Sequence, residues 1–160
     1  MSHFPRNPLP EEHAKTTADA LQPVVAHLID LALASKQIHW NLVGRQFLSV
    51  HEKLDEVTKT ARKGSDTIAE RMAQLGFSPD GRSKTLCGSA ELSDTLPGDF
   101  IKVGDGLTQI CDRLKKVNDV IAKARQITEE SDPYVEDELI AINQQIDEQL
   151  WMFQAMEEGA

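Results

Sequence analysis

Four residues in one stretch have the types and spacing to do chemistry: His51, Asp55, Asp66 and Glu70. On a helix turning about 100° per residue, with His51 at zero, Asp55 falls at about 40°, Asp66 at about 60° and Glu70 at about 100°. The apolar residues from Phe47 to Leu75 centre at about 275° on the same wheel. One imidazole and three carboxylates therefore form a narrow stripe facing away from the helix's own core. His39, a little earlier, is placed to approach the same region. Two imidazoles and three carboxylates are a hard-to-borderline ligand set, suited to iron, manganese or zinc rather than copper(I). A merely solvated polar face is the plain alternative. The rise from Asp55 to Asp66 is roughly 16 Å, so one helix cannot wrap one ion. Two copies packed antiparallel across a two-fold axis can, with His51 and Asp55 of one meeting Asp66 and Glu70 of the other. The spacing asks for a dimer with two equivalent sites.

The elements that must position these residues are helical. Apolar residues recur at three- and four-residue spacing in four runs. The first is Leu21, Val24, Val25, Leu28, Leu31, Ile38 and Leu42. The second is Phe47, Val50, Leu54, Val57, Ala61, Ile68, Met72 and Leu75. The third runs from Val103 to Ala124 and the fourth from Val135 to Met156. Each stripe buries one face of a helix. Gly44 separates the first two runs tightly, so those helices are antiparallel. Gly76 and Pro79-Asp80-Gly81 end the second. Pro23 suggests that the first helix starts or kinks there. Asp132-Pro133 opens the fourth, with Asp at the cap and Pro at the first helical position. Residues 77–98 form the longest non-periodic stretch, with a short helix expected over Ser89–Leu96. No strand-like alternation competes. The expected fold is all-α: a four-helix bundle with one long crossover carrying a short helix, the ferritin-like layout. Residues 1–12 read as a short N-terminal tail and 13–160 as a single bundle domain.

Composition sets the outer limits. The chain has 160 residues, enough for one well-buried domain. No run of apolar residues is long enough to span a membrane. MSHFPRNPLPEEH lacks the charged-then-apolar order of a secretory leader, so a cytoplasmic setting is expected. Cys87 and Cys111 make no disulfide framework. The net charge of −9 is unevenly spread. From Gln126 onward there is no Lys or Arg but there are ten acids, a field that draws cations and repels phosphate.

Other chemistries are disfavoured. Gly104-Asp105-Gly106 lacks the remaining glycines and the strand of a phosphate loop. His51-Glu52-Lys53-Leu54-Asp55 has Asp where a helical zinc protease needs its second His. The Glu-x-x-His pairs that build a di-iron site inside a ferritin bundle are absent.

The stripe and its flanks carry a family resemblance. Lys36-Gln37-Ile38-His39-Trp40-Asn41 and Gly44, then Phe47, His51-Glu52-Lys53-Leu54-Asp55-Glu56 and Asp66-Thr67-Ile68-Ala69-Glu70-Arg71, resemble the Dps family. These are the DNA-binding proteins from starved cells, or mini-ferritins. The match extends in pattern through Asp132-Pro133 and Leu150-Trp151. The resemblance implies hollow dodecamers of identical four-helix bundles that oxidise Fe²⁺, preferably with hydrogen peroxide, and store ferric mineral. It implies a ferroxidase site made of His39, His51 and Asp55 from one subunit and Asp66 and Glu70 from its neighbour. Zinc or manganese are substitutes the ligand set also admits. Trp40 is implied to intercept oxidising equivalents, and interface packing is compatible with that.

The resemblance also implies acid-lined pores beside the start of the fourth helix. Asp132 and Asp137 are the first choices there to bind and draw in Fe²⁺; capping by Asp132 is the structural alternative. Glu52 and Glu56 stand open between mineral nucleation and simple solvation. His27 reads as a buried structural residue, Cys111 as core, and Trp151 as core or interface; His3 and His13 are assigned no function. DNA binding is expected to be weak or absent. Residues 1–15 balance Arg6 and Lys15 against Glu11 and Glu12, and phosphate contacts need Lys and Arg. A DNA-coating protein of the nucleoid is the runner-up, and an inert bundle the third reading.

Overall fold

The structure is a computed structural model describing residues 2–90 and 92–158; Met1, Glu91, Gly159 and Ala160, which belong to the expected tail, short helix and domain end, lie outside the described residues. Four long helices carry the fold: α1 (Glu11–Asn41), α2 (Phe47–Gln74), α4 (Val103–Thr128) and α5 (Pro133–Glu157). A short helix α3 (Ser83–Ser89) lies in the crossover; the two-residue strand β1 (Leu42–Val43) follows α1, and β2 (Ile101–Lys102) precedes α4. Packing runs α1 on α2 and α4, and α5 on α4 and α2, which closes a bundle. The apolar stripes of all four helices merge into one core, with Leu28, Leu54, Ile68, Leu107, Leu114 and Phe153 fully buried. Phe47 departs from its stripe at 38 % exposure and leans on the His51 ring at 4.9 Å. Among the described residues no helix is long and apolar enough to cross a membrane.

Helix α1 does not start at Pro23; it begins at Glu11 and holds Pro23 in its interior. The apolar face already starts at Ala14, Ala18 and Leu21, and the Thr17 hydroxyl meets Ser131 at 2.8 Å, so tertiary contacts hold the first turns. The Pro23 carbonyl is 2.7 Å from His27 Nδ1, which gives buried His27 the structural role expected of it. The first residues are docked as well. Ser2 Oγ and the Asn7 amide both donate to the Leu75 carbonyl, and the His3 N–H donates to Gly76 O. The end of α2 has free carbonyls that need donors, and the tail supplies them.

The short helix falls at Ser83–Ser89 rather than Ser89–Leu96. Ser89 closes α3, its hydroxyl donating to Thr85 O. The segment that follows is claimed by side chains from elsewhere. Buried Asp30 accepts from the Leu92 and Ser93 N–H groups, and Arg113 Nε donates to Leu92 O at 2.6 Å. Backbone groups bonded this way are not free to form a helical turn. The strands were not foreseen because two residues show no alternation. They pair in parallel, Leu42 with Ile101 and Val43 with Lys102, joining the end of α1 to the start of α4. Gly106 allows that approach, since a Cβ there would lie 2.4 Å from Leu42 Cδ2.

Candidate metal centre

The site is organised by the turn between α1 and α2. Gly44 (φ +119°) and Gln46 (φ +63°) adopt left-handed backbone and reverse the chain within a few residues. This sets the last turns of α1 against the first turns of α2, and brings His39 face to face with His51. The rings stack with centroids 3.5 Å apart and planes 20° from parallel. Each imidazole is fixed by the backbone of the other. His39 Nδ1 lies 2.8 Å from His51 O, and His51 Nδ1 lies 3.0 Å from His39 O. A carbonyl only accepts, so both Nδ1 atoms carry hydrogen, and in the neutral rings the lone pair is then on Nε2. That is the tautomer a metal ligand needs, oriented in the way outer bonds orient ligating histidines.

Asp55 lies one turn beyond His51, with its carboxylate 3.6 Å from the His39 ring. It is joined to Lys36, whose ammonium also lies 3.4 Å from His39 Nε2. The Lys36 hydrogen bond is the main cause that holds the Asp55 carboxyl below its ordinary range, against desolvation, with a smaller further lowering from the Lys36 charge. A cation thus already bridges the carboxylate and a histidine lone pair. Lys36 stands three residues before His39, one turn away on the same face, a signal present in the sequence but unused.

The expected ligands divide into two groups. His39, His51 and Asp55 lie together, with Lys36 among them. Asp66 and Glu70 are exposed on α2, about three turns from Asp55. Among the described residues no three His, Cys, Asp or Glu side chains of one chain converge as a metal-binding group. Trp40 is 66 % exposed beside buried His39. Trp151 is exposed rather than core.

The pore acids separate too. Asp137 is exposed, whereas Asp132 is fully buried; it stands at the N-cap position of α5 with Pro133 after it, as expected, but its carboxylate faces the protein rather than solvent. Its two oxygens accept from Arg71 Nε and Nη2 at 2.7 and 2.8 Å, and it makes no side-chain cap at the head of α5. A buried carboxylate committed to a guanidinium has no surface to offer a pore. Arg71, next to Glu70, was not singled out because the bond spans 61 residues.

The fold defines a ferritin-like bundle, with His39, His51 and Asp55 gathered at one end of its first hairpin. Residues 18–158 match the ferritin-like domain family. The chain is 36% identical over 155 residues to the DNA protection during starvation protein of Agrobacterium fabrum, covering 96% of this chain and 95% of that one. Among solved structures, Dps from Microbacterium arborescens in its high iron form has a TM-score of 0.88 at 30% identity, over 94% of this chain and 97% of that one. The tetragonal form of Mycobacterium smegmatis Dps has a TM-score of 0.90 at 29% identity, over 98% and 94%. The chain belongs to the Dps family of mini-ferritins. That is a family of iron storage and DNA protection.

Proposed function

We propose that this chain is a ferroxidase and iron-storage protein that oxidises Fe²⁺ at sites shared between two copies, preferably with hydrogen peroxide. The observation that carries the reading is the reciprocal locking of His39 and His51. It leaves both Nε2 atoms unused by the backbone, with Asp55 3.6 Å from the His39 ring, while Asp66 and Glu70 lie further along the same helix. In the proposed dimer, His39, His51 and Asp55 of one copy face Asp66 and Glu70 of the other. The imidazoles fix geometry, and the carboxylates hold Fe²⁺ and favour the harder Fe³⁺. Peroxide takes one electron from each of two ferrous ions and takes up two protons, leaving two waters. No hydroxyl radical is released. Trp40 lies beside His39, where it can intercept a stray oxidising equivalent. Asp137 is the acid proposed to draw Fe²⁺ toward the shell. Zinc or manganese can occupy the same ligands. The setting proposed is cytoplasmic, at the nucleoid only if DNA is engaged.

The proposed assembly is a dodecamer enclosing ferric mineral. The test is to load iron-free protein with Fe²⁺ under argon, add peroxide, and follow protein and ferric absorbance on a sizing column. Iron should elute with a particle of about twelve times the 17.8 kDa chain. Ferric precipitate separated from a small oligomer would refute the reading. The DNA-coating alternative is disfavoured because residues 2–7 are bonded to the end of α2 rather than presented as a basic arm.

A further inference from the structure

A groove of about 380 Å³ runs between α2 and α5 and shares no residue with the His39–Glu70 stripe. Its α2 wall carries three lysines. The Lys53 ammonium is taken by Glu56. Lys59 and Lys63, one turn apart and exposed, have no ion-pair partner among the described residues. On the floor, Gln149 of α5 is only 7 % exposed. Its amide donates to Thr60 Oγ1 at 2.9 Å, and its Oε1 is buried with no hydrogen-bond partner among the described residues. The Thr60 hydroxyl, having accepted that bond, is left with Gln145 Oε1 at 3.5 Å, a distance too long for a good O–H···O bond. The groove therefore offers two free ammonium groups, one under-used hydroxyl hydrogen and one orphaned acceptor. A buried acceptor without a donor is costly, and a ligand that supplies the donor recovers that cost.

An occupant must be anionic and must also donate a hydrogen bond. Hydrogen phosphate does both, since it keeps a P–OH near neutral pH. Sulfate and the phosphodiester of nucleic acid only accept. Glu148, on the groove wall, adds a second acceptor that disfavours a fully ionised anion. We propose that the α2–α5 groove binds inorganic hydrogen phosphate. Lys59, Lys63 and Thr60 donate to its anionic oxygens, and Gln149 Oε1 accepts from its P–OH.

The experiment titrates inorganic phosphate, sulfate and dimethyl phosphate into the iron-free full-length protein, read by calorimetry and, for the phosphorus compounds, ³¹P NMR. Phosphate should saturate at one per chain, with sulfate and dimethyl phosphate weaker by about tenfold or more, the scale of one lost charge-assisted hydrogen bond. Lys59→Gln with Lys63→Gln should weaken phosphate by at least about tenfold. Gln149→Met should narrow the gap between phosphate and sulfate. Equal binding of phosphate and sulfate, phosphate binding unchanged in the lysine variant, or no saturable binding would each overturn the proposal. Both lysines are exposed, so their variant folds even if Gln149→Met does not, and it decides alone. Iron plays no part in the measurement, so its failure leaves the ferroxidase reading untouched.

Discussion

Arg71 holds Asp132 by two parallel N–H···O bonds, tying the residue after Glu70 on α2 to the head of α5. Asp132 has no exposed surface and Arg71 little, so neither charge has water to fall back on. Removing one partner of such a pair leaves the other uncompensated, at a cost of about 3–5 kcal/mol. Asp132→Ala should lower the midpoint of urea unfolding accordingly, while Asp137→Ala, at an exposed position, should leave it nearly unchanged. Equal midpoints for the two variants would show that the Arg71 bond adds nothing.

Lys36 occupies the place where a metal ion would balance Asp55 and engage the His39 lone pair. With Lys36→Ala, that competitor is gone. The Asp55 carboxyl should titrate closer to its ordinary range, higher than in the native protein, because the lysine is the main cause of its depression. Zn²⁺ affinity at the same site should rise by about tenfold. Carboxyl-resolved NMR titration and calorimetry read the two effects separately. An unmoved Asp55 would mean that Lys36 does not hold it in solution.

Asp66→Ala with Glu70→Ala should keep the assembly and lose fast iron oxidation, and so should His51→Ala with Asp55→Ala. The separation of the two groups along α2 makes a sharper prediction. Co-assembled, the two dead variants should regain part of the native rate, because a mixed pair has one site with every ligand intact. No recovery in stopped-flow oxidation, with mixed assemblies confirmed by mass spectrometry, would place the ligands within one copy.

The two thiols should differ widely in reactivity. Cys111 is buried on α4, and burial, then the nearby Glu157 and Asp112 carboxylates, push its thiol up to about 11. At pH 8 roughly one part in a thousand is thiolate, the form that reacts. Cys87 is exposed on α3. Native protein treated with iodoacetamide at pH 8 should be labelled at Cys87 alone, and at Cys111 only on unfolding. Peptide mapping that finds Cys111 labelled early would mean that α4 opens locally.

DNA should not be retained at ordinary ionic strength. Residues 1–15 carry no net charge, and Ser2, His3 and Asn7 are bonded to Leu75 and Gly76. A gel shift at about 0.15 M salt tests this, since loose electrostatic contacts are largely screened there. A stable complex would show that basic surface elsewhere on the bundle suffices.

Helices and core were legible because periodicity is a local signal that the fold obeys. Every residue named in the first apolar run is buried, as are Val50, Leu54 and Ile68 in the second. The stripe on α2 was legible for the same reason, since His51, Asp55, Asp66 and Glu70 are related by the turn of one helix. The misreadings share the opposite property. The bond that Asp132 makes to Arg71 was not legible because the partner lies 61 residues away. The stretch after Ser89 looked helical because Asp30 and Arg113, which claim its backbone, lie on other helices. Lys36 passed unremarked because its role appears only once the Gly44 turn folds α2 back on α1.

The short ladder between Leu42 and Ile101 has a consequence for how the molecule is divided. The chain consists of two helical hairpins, α1–α2 and α4–α5, each continuous through a brief turn. The long arch that joins them is covalently a bridge but mechanically a spare one. The ladder and the shared core already fasten one hairpin to the other, the ladder just beyond His39. The protein is therefore built as two hairpins closed on one core, with all five proposed iron ligands on the first and the second serving as its brace.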